Sequence, residues 1–269
     1  MIRVKKLDGM LQEYNEGKLR ASLANAGASE ETIAKILPEV RKTLHDGMET
    51  RTLYAFVLKE FKRLQPHISS RYTLKSAILR LGPEGFAFEE YVSHIFQARG
   101  YTTRLNRLVR GQHITHEIDI AADRGSEHLM IECKHHMKPW IGCPIQTALY
   151  VYARFLDVKR EFTRPMLVTN TKFSPQLLAY SKGVGLWLMG WKYPSKDSLE
   201  RNIEQFRLYP VTMLHSLPRE GVGALLARKI VLVRSLAGMT PEAIAEAAAI
   251  NLSRARRIHA EASALCPRA

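Results

Sequence analysis

The strongest constraint on this chain is a pair of short apolar-rich runs, His116-Glu117-Ile118-Asp119-Ile120 and Leu129-Met130-Ile131-Glu132-Cys133-Lys134. The turn-like Asp123-Arg124-Gly125-Ser126 separates them. Runs of this length, bounded by turn residues, read as strands. Side chains alternate between the faces of a strand, so Glu132 and Lys134 share one face. Ile131 and Cys133 turn the other way, toward a core. Paired as a hairpin, the strands bring Asp119 near Glu132. Two carboxylates at such a separation repel unless a cation lies between them. A hard divalent ion, Mg²⁺ (or Mn²⁺), takes oxygen ligands and keeps several waters. The Lys134 amine is placed to hold or help deprotonate a water there. Such a set suits the cutting of a phosphodiester.

Two neighbouring segments extend the pattern. Upstream is Gly85-Phe86-Ala87-Phe88-Glu89-Glu90-Tyr91-Val92, and downstream is Gln146-Thr147-Ala148-Leu149-Tyr150. Gln146 and Tyr150 are four apart and share a helical face. The order of acid, strand acid, Glu-x-Lys and Gln-x-x-x-Tyr resembles the PD-(D/E)xK nuclease core, with Ile118 where the motif's name has proline. The Phe88-Glu89 pair resembles the first helix of the Mrr-type restriction endonucleases, and Gln146/Tyr150 resemble the helix of RecB-like members. The resemblance implies Mg²⁺-dependent hydrolysis of DNA. Asp119, Glu132 and Glu89 would bind the metal, Lys134 would orient water, and Gln146 and Tyr150 would support the site. The competing readings are a surface hairpin with charges at its rim, a DNA-binding regulator on an inactive nuclease fold, and a structure-specific repair nuclease.

The surrounding residues 83–212 read as an α/β core with a mixed sheet. A helix over Phe88–Arg99 places Phe88, Tyr91, Val92, Ile95 and Phe96 inward. A strand from Tyr101 carries a basic edge of Arg104, Arg107 and Arg110. A helix over Pro144–Asp157, a strand over Pro165–Asn170, a helix over Phe173–Ser181 and a strand over Val184–Met189 follow. The aromatics of the loop Gly190–Pro194 read as core cover, with stacking on a base as the alternative. His113, His116, His128, His135 and His136 crowd Cys133 and Cys143, but no pair has zinc-finger spacing. His135 or His136 is expected beside the metal, touching phosphate.

Residues 1–82 predict a hairpin of Ile2–Lys6 with Leu11–Tyr14. Helices follow over Lys18–Ala26, over Glu30–Leu44 capped by Ser29, over Arg51–Leu64 capped by Thr50, and over Ser69–Leu81. Gly82-Pro83 marks a boundary. Val4-x-Lys6-x-Asp8-Gly9, Asn15-x-x-Lys18, Thr50 and Ser70-Arg71-Tyr72-x-Leu74-Lys75 resemble the ATP-cone, a nucleotide-sensing domain. Leu7 stands where that family usually has a second basic residue. The resemblance implies that Val4, Lys6, Asn15, Lys18 and Thr50 hold ATP or dATP. A small basic helical domain without a ligand is the plainer alternative. The short linker 82–85 is expected to couple this domain to Glu89.

Residues 213–269 are Ala- and Arg-rich and read as short helices. They resemble tandem helix-hairpin-helix units, with Gly221-Val222-Gly223 at the first turn and Ala249-Ile250-Asn251 at the second. Arg254, Arg256 and Arg257 add charge for DNA phosphates. A packing or dimerisation module is the alternative. The formal charge of +14 suits a polyanionic partner. No apolar run approaches a membrane span, and the first residues do not resemble a secretory signal. Cys133, Cys143 and Cys266 make no disulfide framework, so a reducing cytoplasm is expected. The chain thus reads as multidomain α+β: a small, mostly helical ATP-cone (1–82), a nuclease core (83–212) and an all-α tail (213–269). It is expected to act on DNA as a homo-oligomer.

Overall fold

The structure, a computed structural model, describes residues 2–6, 9–25, 28–65, 73–82 and 85–266. Leu7-Asp8, Ala26, the helix start at Ser69, Ser70-Arg71-Tyr72 and Pro83 lie outside the described residues.

In the N-terminal region β1 (Arg3–Lys5) pairs antiparallel with β2 (Leu11–Glu13) and parallel with β3 (Met48–Glu49). Three helices cover this small sheet: α1 (Glu16–Asn25), α2 (Glu30–Thr43) and α3 (Thr50–Leu64). Ser29 caps α2 by accepting the Thr32 N–H. Glu30 and Glu31 at its start and Arg41 and Lys42 at its end complement the helix dipole. Thr50 does not cap α3. Glu49 holds that position, and Thr50 is the first helical residue. Its hydroxyl donates to the Lys5 carbonyl at 2.8 Å and ties α3 to β1. Leu23, Ile33, Ile36, Val40, Val57 and Phe61 are fully buried between these elements. Each contributes about 1.5–3 kcal/mol of apolar burial.

The central sheet has the order β10-β8-β6-β5-β4. Strands β4 (Thr102–Arg110), β5 (Thr115–Arg124) and β6 (Glu127–Lys134) are antiparallel. Strands β6, β8 (Arg164–Thr169) and β10 (Trp187–Met189) are parallel. The remaining strands, β7 (Gly142–Cys143) and β9 (Lys172–Phe173), pair with each other beside it. The sheet is mixed, as expected. Helix α4 (Leu74–Leu79) precedes it, and α5 (Phe86–Ala98) covers one face, packing with Ile120, Ile131, Val168 and Met189. Helices α6 (Ile145–Val158) and α7 (Pro175–Val184) cover the other, with Ile118, Met130, Leu167 and Leu188. Gly185 at φ 75° is the left-handed cap of α7, so the last strand begins at Trp187 and not at Val184. Trp191 is buried and serves as core cover.

The remaining chain forms α8 (Leu199–Phe206), a 3-10 turn (Val211–Met213), α9 (Arg219–Ala227), α10 (Val233–Ala237), α11 (Pro241–Ala247) and α12 (Leu252–Leu265). Its apolar side chains share one core with α4 and α5. Leu74, Ala77 and Ile78 of α4 belong to that core and not to the N-terminal one. The Thr212 hydroxyl donates to the Ala77 carbonyl at 2.8 Å, and Arg80 donates to the Thr212 carbonyl at 2.7 Å. The cores therefore divide between Leu64 and Leu74, before the Gly82-Pro83 punctuation.

The turn expected at Gly221-Val222-Gly223 is not a turn. Both glycines lie inside α9, and a Cβ on Gly221 would sit 3.1 Å from Leu217 and 3.4 Å from the Ala248 carbonyl. This glycine permits close packing. The turns that follow α9 and α11 use Lys229 (φ 58°) and Ala249 (φ 51°). Their next N–H groups, of Ile230 and Ile250, bond to the carbonyls of Leu225 and Ala245 at 2.9 Å. Those donors are consumed inside the fold and cannot serve a phosphate. Among the described residues no helix is long and apolar enough to cross a membrane.

Candidate active site at the open end of the sheet

The ladder between β5 and β6 runs from Arg124↔Glu127 to Ile120↔Ile131 and stops there. At the next step a side chain replaces the backbone: the Asp119 carboxylate accepts the Cys133 N–H at 2.8 Å. Strand β6 continues beside β8 as far as Lys134↔Thr169. The segment bearing Glu132 and Lys134 is thus laddered on one side and open on the other. Strand β4 is distorted at the matching place. Asn106 has φ 49°, and no pairing joins it to β5 between Leu105↔Ile120 and Arg107↔Ile118. Across this point the alternation inverts on both strands. Leu105 and Ile120 face the α5 core, whereas Val109 and Ile118 face the opposite one, against the period of two of a regular strand.

The third acid arrives through this distortion. Asn106 donates its carboxamide N–H to Glu89 at 3.0 Å, and Glu89 lies in the first turn of α5. The structure therefore brings Glu89, Asp119 and Glu132 within each other's field. Burial, and then the Asp119 charge, pushes the Glu132 carboxyl up to about 7. Burial also raises Asp119, against the pull of the Cys133 N–H, Arg154 and Lys134. Burial and then Asp119 raise Glu89, which the Asn106 hydrogen bond opposes. Lys134 is exposed, and its charge acts on both strand acids.

Three residues of this site escape sequence reasoning: Asn106, Glu117 and Arg154. Glu117 is two positions before Asp119 on β5, and its charge raises both Asp119 and Glu89. Its place in the same short acidic run, Glu117-Ile118-Asp119, was the signal for it. Arg154 donates from Nη1 to Glu132 at 2.5 Å and to the Glu117 carbonyl at 3.1 Å. Its Nη2 donates to the Tyr150 hydroxyl at 2.6 Å, and its guanidinium carbon lies 4.6 Å from the Tyr150 ring centre. The side chains of Arg154 and Glu132 are each only 12% exposed. Gln146, Tyr150 and Arg154 stand four apart along one face of α6, so the helical spacing that singled out the first two extends to the third. Tyr150 is linked to Glu132 through Arg154, and Gln146 is exposed in the first turn of α6.

The histidine expectation fails. His135 Nε2 bonds the Ile78 carbonyl of α4 at 2.9 Å, and its ring packs on Phe88 with centroids 5.2 Å apart. His136 Nε2 lies 3.3 Å from Cys143 Sγ, and its backbone is clamped by Asn170, which accepts its N–H and donates to its carbonyl. Both rings are built into the fold. The basic edge of β4 is also partly neutralised, by Arg104–Asp123 at 2.6 Å and Arg107–Glu161 at 3.0 Å.

The donors present are carboxylates that burial and mutual repulsion make reluctant to ionise. That all-oxygen set fits a hard divalent ion, which would relieve the repulsion. Among the described residues no three such side chains stand together as a ready cage. Glu132 is instead held through one oxygen by Arg154.

In the N-terminal region Val4, Lys6, Asn15, Lys18 and Thr50 all line one cavity of about 180 Å³, with Gln12, Tyr14, Leu53 and Tyr54 among its other walls. Two of the five also carry fold-holding bonds. Asn15 Oδ1 accepts the Lys18 N–H at 2.9 Å at the start of α1, and Thr50 bonds Lys5.

The mixed sheet agrees with a restriction-endonuclease-like core, the class to which the similarity to known proteins also points. The restriction endonuclease family matches residues 82–189, and the family described as AF1548-like, C-terminal, matches residues 209–266. An uncharacterized protein of Archaeoglobus fulgidus is 37% identical over 172 residues, covering 64% of this chain and 97% of that protein. The crystal structure of the protein of unknown function AF1548 is similar with a TM-score of 0.59 at 36% identity, over 66% of this chain and 96% of that one. The chain belongs to the AF1548-like family and carries a restriction-endonuclease-like domain.

Proposed function

We propose that this protein is a metal-dependent DNA endonuclease whose activity responds to ATP or dATP. The observation that carries the first part is Asp119 replacing a rung of the ladder where β5 and β6 part, opposite the Glu132–Lys134 end of β6, with Glu89 held by Asn106 of the distorted β4. A divalent ion held by these carboxylates would supply positive charge to a phosphoryl oxygen and help generate the nucleophile. Glu132 and Asp119 would hold it and Glu89 would complete the set, with Asn106 fixing Glu89. Lys134, exposed on the Glu132 face, orients the attacking water. Arg154 orients Glu132, and Tyr150 anchors the far side of the guanidinium. Gln146, exposed on the same helix, supports the site from its solvent side. The exposed arginines Arg254, Arg256 and Arg257 and the net charge support DNA as the substrate. The response to nucleotide rests on the five residues that meet in the N-terminal cavity.

One observation favours a second reading, a nucleotide-responsive DNA-binding regulator without cleavage: the guanidinium of Arg154 already neutralises Glu132. A panel of supercoiled, linear, single-stranded and branched DNAs separates the two. The panel is incubated with Mg²⁺ or Mn²⁺, with and without ATP or dATP. Metal-dependent products support the nuclease. Binding without products under every condition selects the regulator, and preference for branched DNA assigns the enzyme to structure-specific repair.

A further inference from the structure

A second cavity, of about 500 Å³, lies between the N-terminal region and the nuclease domain. Lys6, Met10, Leu11, Gln12 and Thr50 line one side, and Pro139, Trp140 and Lys172 line the other. Lys6, Gln12 and Thr50 line the smaller cavity as well. The two spaces therefore share a wall. Small-molecule sites usually enclose about 300–1,000 Å³. The inner cavity, at about 180 Å³, is too small for that, and the two together are not. An adenosine seated among Val4, Tyr14, Leu53 and Tyr54 would have to send its phosphates across Lys6 and Thr50. Lys172 faces them from the nuclease side, and an aromatic ring, Trp140, stands next to it.

We infer that the nuclease domain completes the nucleotide site: a nucleoside triphosphate bound in the N-terminal cavity extends over Lys6 to Lys172 and Trp140. The inference rests on the nucleotide-sensing reading above and adds its route to the catalytic strand. Residues 137–141 form a strap that begins three positions after Lys134. At one end Asn170 clamps His136, and at the other Gly142 pairs with Lys172 itself. Between these anchors Trp140 remains 42% exposed and, with Pro139, lines the cavity as apolar surface that a ligand there would cover. A triphosphate that reaches Lys172 therefore acts on the strap, whose other end continues into Glu132-Cys133-Lys134.

The test uses the full chain, with calorimetry of ATP and AMP and with tryptophan emission. AMP is too short to reach Lys172. The expected result is that Lys172→Ala weakens ATP binding about tenfold or more, the scale of removing one charge-assisted hydrogen bond, and leaves AMP binding unchanged. ATP should also shift the emission of the parent, and Trp140→Phe should abolish that shift while Trp187 and Trp191 remain. Lys172 is exposed, so its replacement spares the fold. Equal ATP affinity in parent and Lys172→Ala overturns the bridge and leaves the sensor. No binding of either nucleotide to the parent overturns both.

Discussion

The two candidate sites treat charge in opposite ways. At the open end of the sheet, Glu132 and Arg154 are each 12% exposed and bonded to each other, and burial holds the neighbouring acids above their ordinary range. In the N-terminal cavity Lys6 and Lys18 stand exposed to solvent. Buried charges interact strongly because little water screens them, whereas exposed ones are screened within about 10 Å at ordinary salt. The first arrangement suits chemistry, which needs fixed and perturbed groups. The second suits a ligand that arrives with its own charge and leaves again.

The harshest test of that contrast is removal of the buried acids. Asp119→Ala or Glu132→Ala should reduce metal-dependent cleavage to background while DNA binding persists. Lys134→Ala should lower the rate on the order of a hundredfold or more with metal still bound. Gel assays of cleavage and binding check both, and retained cleavage in the acid variants would remove this site from consideration.

Next in size is a stability effect. The Glu132 carboxyl is raised in the folded chain to about 7 from an ordinary 4.5. The folded state then holds the proton more tightly than the unfolded one, so this group's contribution is full below the ordinary value and is lost as pH rises toward 7. Glu132→Gln should accordingly gain about 1–3 kcal/mol over the parent on going from pH 4 to pH 8 in chelator. Denaturant melts at the two pH values measure it. Equal pH dependence in parent and variant would mean that Arg154 fully offsets the burial.

Smaller effects belong to the exposed charges. Deleting residues 213–269 is a poor probe of DNA binding, because Leu217, Leu225, Leu236, Ile244 and Ile258 belong to the core shared with α5. Replacing Arg254, Arg256 and Arg257 with alanine spares that core. If they meet phosphates, the slope of log affinity against log salt should flatten by about 0.9 for each phosphate no longer neutralised on duplex DNA. An unchanged slope assigns α12 to protein contacts. Last, Lys6→Ala with Lys18→Ala should remove any response of cleavage or association to ATP while basal cleavage continues. Calorimetry on the same variant should show no ATP binding, and a preserved response would place the sensor elsewhere.

What the sequence revealed follows a physical rule. Period-two alternation and apolar runs located the strands around Asp119 and Glu132, because those patterns are local. Helical spacing aligned Gln146 with Tyr150, and the same spacing would have reached Arg154 had the pattern been extended one turn. Other features depend on contacts between distant segments. His135 looked like a site residue until Ile78 of α4 accepted its bond, 57 positions away. Helix α4 looked like part of the N-terminal domain until its apolar face met Phe88 and the C-terminal helices. Gly221 looked like a turn because glycine often makes one. Its neighbours Leu217 and Ala248 show that it was needed for its small size. The linker idea changes with these facts: α4 is bound to the nuclease side through His135 and Thr212, so residues 82–85 do not divide the two cores.

Asp119 serves two masters with one carboxylate. One oxygen replaces a rung of the ladder by holding the Cys133 N–H, and the charge of the same group acts on Glu132. The isotope exchange of a single backbone amide is thereby tied to the state of the Asp119 carboxylate. Protonating Asp119 weakens its grip on that N–H, and so does drawing it toward a cation, so the Cys133 amide should trade its hydrogen for deuterium faster than Ile131, whose place in the ladder is conventional. One amide proton becomes a silent gauge of the site, readable without substrate and without cleavage.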